Sequence, residues 1–251
     1  MKNVISDKVL GLQPSGIRKF FDIVSEMDDV ISLGVGEPDF DTPWHIRDEG
    51  IYSLERGRTF YTSNAGLKEL REEICRYLSR RCKVDYTIDE TLITVGGSEA
   101  IDLAMRVLLN PGDEVLTFAP YFGEYRAYVT NYDGILKEVE PDTETFQPNL
   151  KKFEQMLSEK TKAVIVNTPN NPTGVVYSEA TIQKMAAILE TKQKEFGTSI
   201  YLISDEPYRE LAYDGVEVPY LTKYYRNTIV GYSFSKSLSL PGERIGYLVM
   251  P

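Results

Sequence analysis

From residue 92 onward the chain alternates short apolar runs with segments long enough for helices. The runs are LITV (92–95), EVLTF (114–118), ILKEV (135–139), AVIVN (163–167), IYLIS (200–204), TIVGY (228–232) and IGYLV (245–249). Runs this short and this rich in β-branched residues read as strands. The segments Glu99 to Leu109, Phe122 to Thr130, Leu150 to Leu157 and Ser178 to Phe196 read as the helices between them. Strand and helix in repeating order predicts an α/β chain whose largely parallel sheet is covered on both faces. Just upstream, Leu67, Leu70, Ile74, Tyr77 and Leu78 recur at helical spacing with Glu, Arg and Lys opposite them, which predicts an amphipathic helix over 66–82. The first 45 residues differ from this pattern. A helix candidate over 16–27 precedes ISLGVGEPDFDTP, where an apolar run meets Gly, Pro and Asp and must turn. The chain therefore divides into an N-terminal arm, 1–45, and a sheet domain, 46–251.

Composition narrows the function. With 251 residues, 42% of them hydrophobic, the chain has the apolar material for a substantial core. It carries 28 Lys plus Arg against 38 Asp plus Glu, a formal charge of -10. So acidic a surface repels phosphate backbones and anionic headgroups, which argues against nucleic-acid and membrane partners. No run approaches the roughly 18 apolar residues of a spanning helix, and the opening MKNVISDKVLG lacks the apolar core of a signal peptide, so the expected location is the cytoplasm. Cys75 and Cys82 have no second pair near them, and His45 is a lone, distant histidine. That composition supports neither a disulfide framework nor a metal site.

Polar clusters follow the apolar runs closely. VGGSEA comes after LITV, APYFGEY after EVLTF, NTPNNPTG after AVIV, SDEPY after IYLI and SFSKSLSLPGER after TIVGY. On a parallel sheet such segments meet at the carboxyl ends of the strands, where ligands bind. Each residue in them has an ordinary reading by itself. Lys236 and Arg244 are surface cations, Asp205 is a helix or turn cap, Tyr208 and Phe122 pack on the sheet, and Asn171 turns a loop. Each also has a chemical one. A partly buried Lys236 becomes a free amine able to condense with a carbonyl. Asp205, at the end of a central strand, needs a cationic or hydrogen-bonding partner. The Gly97, Ser98 and Glu99 turn opens a helix and can hold an anion with its N–H groups, joined by Ser233, Ser235 and the Arg244 guanidinium. A lysine, an acid, a phenol, an amide, an anion cradle and an aromatic plate together are what pyridoxal 5'-phosphate requires.

In these motifs the chain resembles the class I and II aminotransferases, the fold-type I pyridoxal-phosphate enzymes. The resemblance is carried by GVGEPDFDTP, YTSNAGLKELREE (61–73), GGSEA, PYF, NNPTG, SDEPY and SFSKSLSLPGERIGY, in family order along essentially the whole chain. The wording of the motifs is most similar to the aspartate and aromatic aminotransferase branch. The resemblance implies a three-layer α/β/α large domain with a mainly parallel mixed sheet, and an enzyme that moves an amino group between an L-amino acid and a 2-oxo acid through a Lys236 Schiff base. It implies that Asp205 pairs with the pyridine nitrogen, and that Tyr208 and Asn171 bond the ring's phenolic oxygen. Gly97, Ser98, Glu99, Ser233, Ser235 and Arg244 would hold the phosphate, with Phe122 stacked on the ring. Tyr61 would reach the phosphate of a neighbouring subunit in a homodimer, and the Gly36 backbone would approach the substrate carboxylate.

In the family, the strand after GERIGY leads into a small domain that supplies the arginine for the substrate's α-carboxylate. The sequence given stops at Pro251, so the expectation is a chain complete in its cofactor half with the C-terminal small domain absent. Two other readings stay open at this point: a truncated, non-catalytic fragment of the fold, and a lyase or decarboxylase on the same scaffold. A nicotinamide enzyme is disfavoured because no strand is followed by GxGxxG.

Overall fold

The structure, a computed structural model, describes residues 4–11, 23–24, 26–27, 29–31, 34 and 36–251. The helix expected over 16–27 lies for the most part outside the described residues. All seven apolar runs form strands: β1 (Thr91–Val95), β2 (Glu114–Phe118), β3 (Ile135–Val139), β4 (Thr161–Asn167), β5 (Tyr201–Asp205), β6 (Thr228–Ser233) and β7 (Ile245–Val249). Helices α1 (Asp7–Gly11), α2 (Trp44–Glu55) and α3 (Lys68–Cys82) precede the sheet. Interleaved with the strands are α4 (Gly96–Leu108), α5 (Tyr125–Asn131), α6 (Leu150–Met156), α7 (Glu179–Phe196) and the single turn α8 (Phe234–Ser237). Local chemistry sets several of the ends. Asn149 Oδ1 accepts the Lys152 N–H at 3.1 Å to start α6, Ser178 Oγ accepts the Thr181 N–H at 3.1 Å to start α7, and Gly197 closes α7 in the left-handed region.

The strands lie in the order β1-β7-β6-β5-β4-β2-β3. Strands β2 to β6 pair in parallel, whereas β7 runs antiparallel to both β1 and β6. The reversal has a simple cause. A parallel return needs a crossover of a dozen or more residues, and the 234–244 connection is too short to provide one. Its consequence is that the start of β7, with Arg244, lies at the same end of the sheet as the carboxyl ends of the other strands.

Alternation along the strands sorts the core into two faces. Val115, Ala163, Ile165, Ile203 and Ile229 point to one face, where Ala100, Ile101, Ala104 and Met105 of α4 and Tyr125 and Val129 of α5 cover them. Leu116, Val164, Val166 and Leu202 point to the other, under Phe153 of α6 and Ile182, Met185 and Leu189 of α7. On that second face, Val230, Tyr232, Tyr247 and Val249 pack against Ile74 and Leu78 of α3. Each fully buried side chain of this kind is worth about 1.5–3 kcal/mol relative to exposure, which is why the three layers close on the sheet. Strand β2, at the interior of the sheet, is buried at every position, whereas the edge strand β3 is not. Among the described residues no helix is long and apolar enough to cross a membrane, and no group of three or more His, Cys, Asp or Glu is arranged to hold a metal.

Candidate active site

Two glycines bring α4 onto the sheet end. Strand β1 runs directly into α4 at Gly96, ahead of the Glu99 start expected from the sequence. Gly96 has φ +72°, and a Cβ there would lie 2.7 Å from Arg244 Nη2. A Cβ at Gly246 would lie 2.5 Å from the Tyr232 carbonyl oxygen and 2.7 Å from the Gly96 carbonyl carbon. At Gly246 only glycine allows the backbone approach, and at Gly96 the left-handed conformation and the nearby guanidinium favour it. The approach sets the first turn of α4 beside the Arg244 guanidinium and the end of β6.

The cleft formed there has a volume of about 240 Å³, below the roughly 300–1,000 Å³ typical of drug-sized ligands and suited to one small ring. Gly97, Ser98, Phe122, Asn171, Asp205, Tyr208, Ser233, Ser235, Lys236 and Arg244 all border it. Five separate strand-end segments are thus brought to one cavity. Asp205 and Lys236, 31 positions apart in the chain, face the same space. Three expected residues stand apart from the lining. The Glu99 carboxylate accepts the Val95 N–H at the helix start, Tyr61 is fully exposed, and Gly36 meets the site through its carbonyl, which accepts a hydrogen bond from Lys236 Nζ.

The acid end is deeply set. Asp205 is 8% exposed and paired in register with Asn167 of β4 and Gly231 of β6. The Tyr125 hydroxyl donates to Asp205 Oδ2 at 2.5 Å, and Asn167 Nδ2 donates to the Asp205 carbonyl at 2.9 Å. Among the described residues no cation pairs with the carboxylate. Burial pushes its pKa up to about 7, with the Glu206 charge adding to the rise and the Tyr125 hydrogen bond opposing it. A buried acid without a cation, facing a cleft, fits a ligand that brings its own positive charge.

At the amine end, α8 places Lys236 immediately after β6. Burial lowers the Lys236 pKa below the usual lysine value, and the Glu37 carboxylate works against that shift. The amine is therefore a better nucleophile than a solvated lysine. The Tyr208 pKa is raised by burial and by the Asp205 charge, and the Asn171 side chain opposes the rise. The Asn171 N–H in turn donates to Asn167 Oδ1 at 2.6 Å. Ser233 Oγ lies 2.8 Å from Ser235 Oγ, and Arg244 Nη1 donates to the Pro241 carbonyl at 2.9 Å. Arg244 has φ +53°, strain of a sort concentrated at ligand sites. With the first N–H groups of α4, these side chains form a donor-lined recess suited to a phosphate.

Several lining residues were not singled out from the sequence. Tyr125, Tyr128 and Asn167 all border the cavity. Asn167 carried a usable signal: it ends an apolar run as a polar residue, as Asp205 does in the adjacent strand. The helix expected from Phe122 begins at Tyr125, and a turn closed by the Tyr125 N–H on the Phe122 carbonyl at 3.1 Å brings the two rings edge to face at 5.6 Å. The pairing of Tyr125 with Asp205, 80 residues away, had no local signal.

The profile of the family described as "Aminotransferase class I and II" matches residues 28–251. "Putative aminotransferase YugH" of Bacillus subtilis is 42% identical, the match covering 100% of this chain and 64% of that protein. An aspartate aminotransferase of Pyrococcus horikoshii is 36% identical, with 100% and 63% covered. Among solved structures, an amino transferase of Eubacterium rectale superposes with a TM-score of 0.93 at 39% identity, over 99% of this chain and 66% of that one. The Thermus thermophilus aspartate aminotransferase with maleate gives 0.91 at 33% identity, over 100% and 65%. The chain thus spans about 64% of the length of the first of these curated relatives. Together with the seven-stranded mixed sheet and its strand-end cavity, these similarities place the chain in the class I and II aminotransferase family, with the fold-type I α/β/α architecture.

Proposed function

We propose that the chain binds pyridoxal phosphate in the strand-end cavity and serves an aminotransferase acting between an L-amino acid and a 2-oxo acid. The observation that carries this reading is a buried, cation-free Asp205 and an amine of lowered pKa, Lys236, on the walls of one cleft. When bound, the cofactor supplies a carbonyl that condenses with amines and a protonated ring that draws electrons from the substrate Cα. Asp205 would hold the proton on the ring nitrogen, and Tyr125 keeps the carboxylate aimed from behind. Lys236 Nζ would bind the cofactor carbonyl carbon and, once released, remove and return a proton at Cα. Tyr208 and Asn171 would orient the ring through its oxygen. Gly97, Ser98 and the adjoining Glu99 backbone, with Ser233, Ser235 and Arg244, would anchor the phosphate. Phe122 would cover a ring face, a contact worth about 0.5–1.5 kcal/mol beyond burial.

The proposed division of the chain is an arm over 1–45 and a cofactor-binding unit over 46–251. Its arm reaches the site: the Gly36 carbonyl meets Lys236, and Thr42 Oγ1 donates to the Ser239 carbonyl at 2.6 Å. Gly36 and Asn171 are proposed to approach the substrate carboxylate. A homodimer with Tyr61 reaching the partner's site is part of the same reading. It is supported by the exposed apolar side chains Phe40, Trp44, Leu54, Phe60 and Tyr61. Both cysteines are free thiols, which suits the cytoplasm.

The test is covalent capture. The chain incubated with pyridoxal phosphate and then borohydride gains one phosphopyridoxyl group, the cofactor's mass less water and plus two hydrogens, mapped to Lys236, and Lys236→Ala does not. An equal adduct in Lys236→Ala overturns the assignment. A burst of 2-oxo acid, stoichiometric with chain, from an amino acid added alone supports transfer over the lyase and inert-fragment readings.

A further inference from the structure

Strand alternation puts Tyr232 on the sheet face opposite the cavity, whereas Ser233, next in sequence, faces into it. On that reverse face Glu210 joins three elements. Tyr77 of α3 donates its hydroxyl to Glu210 Oε1 at 2.5 Å. The Tyr232 hydroxyl lies 2.8 Å from Glu210 Oε2 and 2.7 Å from Ser237 Oγ. A phenol has one hydrogen and a carboxylate only accepts, so Tyr232 donates to Glu210 and Ser237 donates to Tyr232. Ser237 is the neighbour of Lys236 in the one-turn α8. The other end of that turn is held by Phe234, whose ring packs edge to face on Tyr232 at 5.2 Å and against Tyr247 at 5.8 Å. A four-residue turn has little hydrogen bonding of its own to keep its shape.

We propose that Glu210 is a positioning residue that, through Tyr232 and Ser237, holds the turn bearing Lys236 at the depth where its amine meets the cofactor carbonyl. The inference rests on the reading of Lys236 as the cofactor-binding amine. Glu210 touches neither the cavity nor the reacting atoms and acts only through the reverse side of the sheet. Its backbone belongs to the same turn as Tyr208, so one short segment places a phenol in the cavity and braces the lysine from behind.

The groups around the Lys236 amine are the Gly36 carbonyl and Glu37 from the arm and, on the cavity walls, Asp205, Tyr208 and Arg244. Substitution at Glu210 or Tyr232 replaces none of these, and Tyr232→Phe leaves the 207–210 turn that carries Tyr208 intact, so a change at Lys236 in that variant reports its position. Two readouts are needed. One is the pH profile of Lys236 reductive methylation in the full, cofactor-free chain, followed by mass spectrometry. The other is the rate of borohydride-trapped cofactor capture.

With Glu210→Ala the turn loosens toward water. The Lys236 labelling midpoint moves up toward that of an ordinary lysine, and capture slows by roughly tenfold or more. Glu210→Gln accepts one phenol hydrogen bond and donates the other, so it stays near the parent chain in both readouts. Tyr232→Phe removes one oxygen and keeps the ring stacks, so it decides the matter even where Glu210→Ala fails to fold. Its effect matches that of Glu210→Ala, and the double variant is no worse than either single one. An unchanged labelling profile in Tyr232→Phe, whatever Glu210→Ala does, overturns the proposal. Failure of the parent chain to capture the cofactor overturns the functional reading instead, while the labelling profile still decides this one.

Discussion

The two ends of the cavity are built differently. Asp205 sits at the end of an interior strand, between two paired neighbours, with Tyr125 on its side chain and Asn167 on its backbone. Lys236 sits on a single turn in the connection between β6 and β7, and its amine bonds the carbonyl of the arm residue Gly36. The acid is held by the sheet, and the amine by whatever braces a short turn. The difference suits the proposed division of labour, since the acid has to keep one charge in place through every step while the amine must let go, move a proton and return. Rigidity in the core is inherited from packing; mobility at its rim requires dedicated supports.

Substitutions at the two ends test this difference. The largest effect is expected beneath the acid end, where Glu206, 1% exposed, is ion-paired by Arg209 at 2.6 Å and hydrogen-bonded by Ser204. Removing one partner of a buried pair leaves an uncompensated charge, so Arg209→Met should cost about 3–5 kcal/mol in urea denaturation. A loss below about 1 kcal/mol means the floor of the acid end is not rigid.

The second is a pH effect at Asp205. Its folded pKa, raised to about 7 from 3.8, means that the cofactor-free folded chain holds a proton the unfolded chain has already lost. Its contribution to stability is fully present below the unfolded value and is lost as pH rises through about 7. Asp205→Asn has no such loss. Relative to the parent it should gain stability between about pH 4 and 7, on the order of 4 kcal/mol at most. Added pyridoxal phosphate should reduce the parent's slope by pairing with the carboxylate. Parallel stability curves for the two chains across this range would remove the argument for a missing cation.

Tyr125→Phe should raise the Asp205 pKa further, shifting that slope to higher pH, and weaken cofactor binding by about 1.5–3 kcal/mol, the usual worth of a hydrogen bond to a charged group. Titration of cofactor fluorescence measures it. In the anion-binding recess, Gly96→Ala imposes a left-handed conformation costing about 1–2 kcal/mol and pushes the Arg244 side chain aside. Cofactor affinity should fall with only this small stability loss, because a guanidinium can move. Gly246→Ala meets backbone instead and should unfold more readily at equal cofactor occupancy. Equal thermal shifts in the two variants would show that Arg244 is not free to yield.

Much of this was legible locally. The seven runs from LITV to IGYLV each became a strand within two residues of their expected limits, because period and β-branched content are properties of a few neighbouring residues. The site residues were legible for a related reason: strand-end clusters such as SDEPY and SFSK can only collect where parallel strands finish. Tyr125 and Glu210 were not. Each acts on a residue distant in sequence, and neither breaks a local pattern. Tyr125 looked like a helix residue, and Glu210 like one more surface acid in a chain of 38 acids.

The amino-acid order alone determined which segments are strands and which helices, and that an amine, an acid, a phenol and an anion cradle follow them. Tertiary structure decided the rest. The antiparallel course of β7 follows from a connection too short to cross over, and it alone brings Arg244 to the cavity end. The register of β4, β5 and β6 decided that Asp205 turns to the cavity while Ser204 and Glu206 turn away. Local periodicity says that successive side chains alternate, but which face receives the ligand depends on what packs there, and that is settled only when distant helices close over the sheet.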